Sequence, residues 1–211
     1  MGQSAAHADN ALPRFLEALP LAAAGATLAM RAYAAVHDHR RADALTVHAL
    51  EVAALLHLTG ADEELVAAGA THDLLEHSAT PSTAIHIALG PRVLHLVEAV
   101  TEDDGIGDYE RRKATLRHQV RGAGADANAL FAADKVSKVR ELRTRIASGS
   151  PDHHALQLRH YRTSLEDLRA TLPSHPLVCE LDFELWALSR VLEQHKEPPG
   201  QDPGSGGRAR R

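Results

Sequence analysis

The chain of 211 residues is poor in several residue types, and each shortage excludes a class of protein. Its single cysteine, Cys179, excludes an intramolecular disulfide, which suits a reducing cytoplasm. Aromatic residues make up only 3% of the chain, whereas Ala and Leu are abundant, and this balance favours packed helices over a sheet. No apolar run approaches the roughly 20 residues of a membrane span. The formal net charge of -5 argues against a general nucleic-acid or acidic-membrane partner.

The sequence predicts one all-α domain, a compact multi-helix bundle, between two polar ends. Residues 1–10 are small and polar and predict a flexible N-terminus. Residues 11–196 carry apolar side chains at steps close to 3.6. The helices within 151–194 are expected to buttress the rest of the domain. Residues 197–211 are rich in Pro and Gly and cannot build a core, so they predict a disordered tail.

Helix boundaries follow from capping residues and from the apolar period. The run Leu19–Met30 has the length of a signal-peptide core, but its flank, residues 14–17, has no net positive charge, so 21–37 is interpreted as an Ala-rich helix. A short helix is opened by Thr80-Pro81 and runs to residue 89. The other predicted helices cover 44–58, 63–76, 91–100, 109–121, 127–147, 151–172 and 176–194.

A group of polar residues ends an apolar helical segment, in the sequence Thr71-His-Asp-Leu-Leu-Glu-His77. On a helix, Glu76 shares a face with His72 and Asp73, and His77 shares one with Asp73. Imidazole and carboxylate groups on a buried segment are costly unless they are paired or bound to a cation. The segment is therefore a candidate metal site, and a hydrogen-bonded core pair at His72 and Asp73 is the alternative.

Two further polar residues stand in apolar contexts. His48 lies on the inward face of its predicted helix, and Asp134 interrupts the apolar stripe of another. A lone carboxylate on an apolar face is usually neutralised by a partner. A metal is the partner that also explains His48 and the His72-Asp73 pair.

This pattern resembles the H…HD…D signature of the HD-domain metal-dependent phosphohydrolases. Over residues 33–142 the sequence is also similar to the hydrolase domain of RelA/SpoT-type enzymes and their small stand-alone relatives, which remove the 3′-pyrophosphate of guanosine alarmones. The resemblance implies an HD-type bundle with a metal site between helices and a small phosphorylated nucleotide as substrate. It also implies one divalent metal, manganese by resemblance, held by His48, His72, Asp73 and Asp134.

The resemblance assigns roles to residues beside the metal. Glu76 is expected to orient a water molecule or take its proton. His77, where the alarmone hydrolases have Asp, is expected to steady that water or protonate a leaving oxygen. Lys135 and Lys138, which replace Arg and Asn of the later motif, are expected to stabilise phosphate charge. For Lys138, a solvent-facing position is the alternative.

Several positions depart from the alarmone hydrolases. Arg40 and Arg41 are candidates for their substrate-binding Arg-Lys pair, at a different spacing, while Ala44-Leu45 stands where they have Pro-Tyr. The ligand positions match and the substrate-contacting positions differ, so metal-dependent phosphohydrolysis is better supported than any particular nucleotide. Two alternatives remain: a non-catalytic HD-fold binding or regulatory domain, and another HD-type nucleotidase or phosphodiesterase.

The remaining polar segments predict ordinary surface. The loop 101–108 is acidic but lacks the alternating oxygen ligands of a calcium loop, so it is interpreted as a surface turn. The basic helix after it carries four cations that face phosphates or water, water being favoured for each of them: Arg111, Arg112, Lys113 and Arg117. The C-terminal histidines lack carboxylates at ligand spacing and are interpreted as surface or packing residues, at positions 153, 154, 160, 175 and 195.

Overall fold

The computed structural model describes residues 12–149 and 154–194, and in these ranges every regular element is helical. The all-α prediction is therefore confirmed, while the predictions for 1–10 and 197–211 lie outside the described residues. A 3-10 helix, Arg14–Ala18, precedes ten α-helices: α1 (Pro20–Ala34), α2 (His39–Leu58), α3 (Glu63–Thr71), α4 (Leu74–His77), α5 (Ser82–Leu89), α6 (Pro91–Val100), α7 (Tyr109–Gly122), α8 (Ala125–Ala147), α9 (Ala155–Thr171) and α10 (Pro176–Gln194). None of these helices combines the length and apolar character that a bilayer span requires.

Side-chain caps fix the starts of two helices that carry the candidate ligands. Asp62 accepts a hydrogen bond from the Leu65 amide and starts α3 where the sequence predicts. Asp38 accepts from the amides of Arg40 and Arg41 and starts α2 at residue 39, five residues before the predicted start at Ala44. The prediction was wrong because the charged run before Ala44 belongs to the helix, with Asp38 as its N-cap.

Helix α3 forms the centre of the bundle. Every residue from Leu65 to Thr71 is buried, and α3 packs against α1, α2, α6 and α8. Gly69 allows the approach to α2, since a Cβ at this position would lie 2.7 Å from Leu56 Cδ1 and 3.1 Å from Ala53 Cα. The close contact brings the C-terminal end of α3 beside the middle of α2.

The long helix α8 closes the opposite side of this centre. It packs against α2, α3 and α6 on one side and against α9 and α10 on the other. Its buried residues include three polar ones within about one turn: Asp134, Lys135 and Ser137. A helix covered on nearly all sides can present polar side chains to a closed interior site.

Candidate metal centre

The four predicted metal ligands come from three places in the chain and meet at one point. His48 Nε2 lies 3.1 Å from His72 Nε2, 3.2 Å from Asp134 Oδ1 and 3.6 Å from Asp73 Oδ2. His72 Nε2 lies 3.2 Å from Asp73 Oδ1 and 3.7 Å from Asp134 Oδ1. Donor atoms about 2.1 Å from a shared cation lie about 3.0 Å apart at right angles and about 3.4 Å apart at tetrahedral angles. The separations among His48, His72 and Asp134 therefore match a common cation, and Asp73 lies beside these three residues.

A break in the helix lets adjacent residues point to this place. The predicted helix over 63–76 was wrong at residues 72 and 73: α3 ends at Thr71, and α4 begins only at Leu74. Between them Asp73 has φ -92° and ψ 1°, outside helical geometry. Side chains of adjacent residues in a regular helix point about 100° apart. At this break the two side chains lie side by side, with His72 Nε2 3.2 Å from Asp73 Oδ1.

The hydrogen bonds of the two histidines leave their inner nitrogens without protons when the rings are neutral. His72 Nδ1 donates to the Gly69 carbonyl at 2.8 Å. Ser137 donates its one proton to Glu51 Oε2 at 2.7 Å, so its oxygen accepts from His48 Nδ1 at 2.8 Å. Two Nε2 lone pairs then face each other at 3.1 Å. This contact is unfavourable unless a cation or a proton lies between them.

A buried carboxylate oxygen without a hydrogen-bond partner beside the histidines also indicates a place for a cation. Asp134 Oδ1 is buried and has no hydrogen-bond partner in the part of the chain that the structure describes. Buried polar atoms are rarely left in this state, because desolvation without a partner is costly. Two imidazoles and two carboxylates with such an orphan oxygen form a donor set that fits a divalent metal ion.

Lysine residues compensate the buried carboxylates. Lys135 Nζ lies 2.5 Å from Asp134 Oδ2, and Lys138 Nζ lies 3.4 Å from Asp73 Oδ2 and 3.7 Å from Asp134 Oδ1. Burial opposes ionisation of Asp134, but the charges of Lys135 and Lys138 outweigh it and hold its pKa well below the usual range. Burial also opposes ionisation of Asp73, but His72 and Lys138 lower its pKa. Both carboxylates are therefore ionised at neutral pH.

One side of the cluster opens into a cavity of about 180 Å³. Its charged lining residues are Asp73, Glu76, Glu102, Lys113, Asp134, Lys135 and Lys138. Glu76 Oε1 accepts a hydrogen bond from the Glu102 amide at 2.8 Å. Burial, and after it the Asp73 carboxylate, raises the pKa of Glu76. A raised pKa makes this carboxylate a better proton acceptor than an exposed one.

A second cavity, of about 220 Å³, borders the cluster on its other side. It is lined by residues that include Arg41, His48, Asp73, His77 and Lys138. His77 Nε2 lies 3.8 Å from Asp73 Oδ2. Glu76 and His77 thus line different cavities, whereas Asp73 and Lys138 line both. Lys138 lies at the site rather than in open solvent.

The two predicted substrate-binding arginines have different positions. Arg41 lines the second cavity. Arg40 is exposed and lines neither cavity. Adjacent residues of a helix point in different directions, so the structure brings Arg41 and not Arg40 to the lining of this cavity.

The loop before α7 contributes a residue that the sequence analysis missed. Glu102 is largely buried, with a side chain 12% exposed, and it pairs with Arg112 at 2.9 Å and with Lys113. Although burial opposes it, these cations lower the pKa of Glu102. The surface-turn prediction holds for Asp103–Gly105, which are exposed, but was wrong for Glu102. The available signal was the acidic residue about ten positions before two basic ones.

Helix α9 brings a buried histidine to the first cavity. Arg117 Nη1 lies 2.9 Å from His160 Nδ1, and since arginine only donates, Nδ1 accepts and Nε2 carries the proton. His160 Nε2 is buried without a hydrogen-bond partner among the described residues. Burial, followed by the charges of Lys135 and Lys113, lowers the pKa of His160 to about 2. No local spacing signals this position, because its neighbours lie on α7 and α8.

Comparison with known proteins agrees with this geometry. A family model described as HD domain matches residues 25–145. No curated protein is significantly similar to the chain. Among solved structures, that of lmo0812 from Listeria monocytogenes EGD-e is 29% identical with a TM-score of 0.61, and the match covers 67% of this chain and 95% of that one.

A second solved structure is that of a metazoan ortholog of SpoT that hydrolyzes ppGpp. It is 19% identical with a TM-score of 0.53, and the match covers 71% of this chain and 80% of that one. Similarity at this identity shows the fold. The HD-domain match, by contrast, covers more than half of the chain and contains all four candidate ligands. The chain therefore belongs to the HD-domain family of metal-dependent phosphohydrolases.

Proposed function

We propose that the protein hydrolyses a phosphorylated nucleotide, and that the substrate class is a nucleoside 3′-pyrophosphate of the ppGpp type. In this proposal a divalent cation, manganese in the first instance, is held by His48, His72, Asp73 and Asp134. The observation that carries the proposal is the pair of facing Nε2 atoms beside the unpartnered Asp134 Oδ1, at the edge of a cavity lined by three lysines.

A bound divalent cation supplies Lewis-acid polarisation of a phosphoryl oxygen and lowers the pKa of water in its shell. The protein then has to remove a proton from the attacking water. Glu76 suits this role, because its pKa is raised and one of its oxygens is fixed by the Glu102 amide. The other oxygen, Oε2, makes no hydrogen bond within the described residues and is available to the water.

The lysines suit the charge of the substrate. Lys113, Lys135 and Lys138 all line the first cavity, and a phosphate or pyrophosphate group brings several negative charges to it. Each lysine is paired with a carboxylate in the structure. These ion pairs reduce the free-energy cost of burying the lysine charges before substrate binds. A charged pyrophosphate is therefore favoured over a singly charged diester.

The second cavity suits the rest of the substrate. Arg41 and His77 line it, together with Asp73 and Lys138, which also line the first cavity. If Glu76 activates water in the first cavity, this proposal gives His77 the contact with the departing or the retained part of the nucleotide. In this proposal His77, whose Nε2 lies 3.8 Å from Asp73 Oδ2, is the candidate proton donor to a leaving oxygen.

Likeness to the metazoan SpoT ortholog supports the choice of the first substrate to test, since that protein hydrolyzes ppGpp. The test uses full-length protein freed of metal with a chelator and supplied with Mn²⁺, Mg²⁺ or Zn²⁺. Substrates are guanosine and adenosine 3′-pyrophosphates, nucleoside monophosphates and cyclic dinucleotides, and the products are separated by ion-exchange chromatography. We expect Mn²⁺-dependent release of pyrophosphate that is absent in His72→Ala.

Two outcomes would overturn the proposal in different ways. Turnover of monophosphates or diesters, without turnover of 3′-pyrophosphates, would keep the phosphohydrolase and reject the substrate class. Tight binding of nucleotides with no turnover under any metal would point to a binding module in place of an enzyme.

A further inference from the structure

A chain of hydrogen bonds leads from His48 away from the cation site towards α10. His48 Nδ1 contacts Ser137 Oγ at 2.8 Å, and Ser137 contacts Glu51 Oε2 at 2.7 Å. Arg140 Nη1 donates to Glu51 Oε1 at 3.0 Å, and Arg140 Nε donates to Glu184 Oε1 at 2.8 Å. The chain thus joins α2, α8 and α10, and α10 lies outside the residues matched by the HD-domain model.

The direction of each proton follows from the chemistry of the partners. Arg140 only donates, so Glu51 accepts from Arg140 through Oε1 and from Ser137 through Oε2. Glu51 then takes the single hydroxyl proton of Ser137, and the Ser137 oxygen is left to accept from His48 Nδ1. The neutral ring of His48 is therefore fixed in the tautomer whose Nε2 lone pair faces the other candidate ligands.

The carboxylate of Glu51 strengthens this effect. Arg140 also pairs with Glu180, and Arg143 pairs with Glu184, so two guanidinium groups are shared among three carboxylates. Glu51 is the member of this group that Ser137 links to His48, and a carboxylate at the end of a hydrogen-bonded chain polarises the imidazole. An imidazole oriented and polarised in this way binds a cation more tightly, as in the carboxylate-histidine pairs of known metal sites.

We propose that Ser137, Glu51 and Arg140 are positioning residues that set the affinity of the cation site through His48. The proposal rests on the proposed function, since it needs His48 to be a metal ligand. Glu184 on α10 completes the arrangement: it is buried, with a side chain 4% exposed, and it orients Arg140 towards Glu51. The C-terminal helix thereby contributes to cation affinity without touching the site.

A purely structural role for these residues makes a different prediction. An ion pair between Arg140 and Glu51 that only joins helices would change the stability of the protein when broken, and leave metal affinity unchanged. Metal affinity therefore separates the two roles. Glu180 provides the matched control, because it pairs with the same Arg140 but lies outside the chain that reaches His48.

The experiment measures Mn²⁺ binding to metal-free, full-length protein, with free Mn²⁺ followed by electron paramagnetic resonance. In Ser137→Ala and Glu51→Gln we expect the dissociation constant to rise about 10- to 100-fold, the usual effect of removing an outer partner of a ligating histidine. Glu180→Gln is expected to bind Mn²⁺ within about twofold of the wild type. Urea unfolding of each variant reports stability separately.

The possible results are distinguishable. Wild-type affinity in both Ser137→Ala and Glu51→Gln would refute the positioning role and leave the metal site intact. An equal loss of Mn²⁺ affinity in Glu180→Gln would show that loosened packing of α10 causes the effect. This result would also refute the positioning role. Absence of Mn²⁺ binding by the wild-type protein would instead refute the metal site itself. If Ser137→Ala does not fold, Glu51→Gln, whose side chain is partly exposed, carries the test.

Discussion

Replacing Lys138 with Asn is expected to change two affinities in opposite directions. Its Nζ lies 3.4 Å from Asp73 Oδ2 and 3.7 Å from Asp134 Oδ1, and the side chain borders both cavities. Lys138 therefore competes with a metal ion for the same two carboxylates. It also offers positive charge to an anionic substrate. The variant should bind Mn²⁺ more tightly and a pyrophosphorylated nucleotide more weakly.

The magnitude follows from the separation of the charges. With an effective dielectric constant of about 20, a unit charge 3.4 Å from a carboxylate oxygen interacts with it by about 5 kcal/mol. Desolvation of the two groups offsets most of this gross attraction. A net effect of about 1 to 2 kcal/mol corresponds to a change in affinity of about 5- to 30-fold. We expect the Mn²⁺ dissociation constant to fall by this factor and the KM for the pyrophosphorylated nucleotide to rise by a similar one.

The assay combines calorimetric Mn²⁺ titration with steady-state kinetics at saturating Mn²⁺. A singly charged phosphodiester serves as the second substrate, and its KM should change less. Arg162→Gln is the charge-matched control, because it removes an exposed cation on α9 that lines neither cavity of the site. If Lys138→Asn alters both substrates equally, or alters nothing, the charge of Lys138 does not act on the site and the electrostatic reasoning fails.

Four further predictions test separate parts of the molecule. Glu76→Gln should lower kcat by a factor on the order of 10² to 10⁴ while Mn²⁺ affinity stays within twofold; full activity would transfer the base role elsewhere. Asp73→Ala should abolish stoichiometric Mn²⁺ binding in metal analysis, and unchanged content would remove Asp73 from the ligand set. Gly69→Ala should destabilise the protein by about 1 to 3 kcal/mol in urea unfolding, because the new Cβ meets α2, whereas Gly122→Ala, with nothing within 4 Å, should not destabilise it. In the unfolded chain His160 takes up a proton near pH 6.5 but in the folded protein only near pH 2, so stability is lost as pH falls below 6.5. His160→Gln should reduce this slope by up to about 1.4 kcal/mol per pH unit between pH 6.5 and 4.5, and an unchanged slope would show that His160 is not the group responsible.

The sequence predicts what depends on local pattern. The 3.6-residue apolar period locates most helices, and the end points of α6 and α10 agree with the predicted ones. The candidate ligands were found because each is a polar residue in an apolar segment, a contrast that is visible without knowing the fold. The end of α3 at Thr71 was not predicted, since Leu74 and Leu75 continue the apolar period beyond the break. The helical period of the apolar residues does not show that the adjacent side chains of His72 and Asp73 lie at the same site.

The main site residues that the sequence did not reveal are those whose partners lie in distant segments of the chain. Glu102 was assigned to a surface turn because its own segment is acidic and contains glycine, and its burial depends on Arg112 and Lys113 of the next helix. His160 was assigned to packing or surface, and its cavity position depends on α7 and α8. Partners such as these are set by tertiary packing. A single sequence does not show which distant segments will pack together.

The length of α8 explains why one helix carries so much of the site. Asp134 and Lys138 are four residues apart and share a face of α8, so the candidate ligand Asp134 and the ammonium group of Lys138 line the same cavity. Ser137 is three residues from Asp134 and reaches His48 on α2, while Arg140 follows three residues later and reaches Glu184 on α10. Within less than two turns, α8 therefore contacts both the candidate cation site and the outer helix α10. A shift of α8 relative to α2 would move the ligand, the lysine and the support of His48 together. For this reason, the packing of α10 against α8 matters to the chemistry although α10 supplies no ligand.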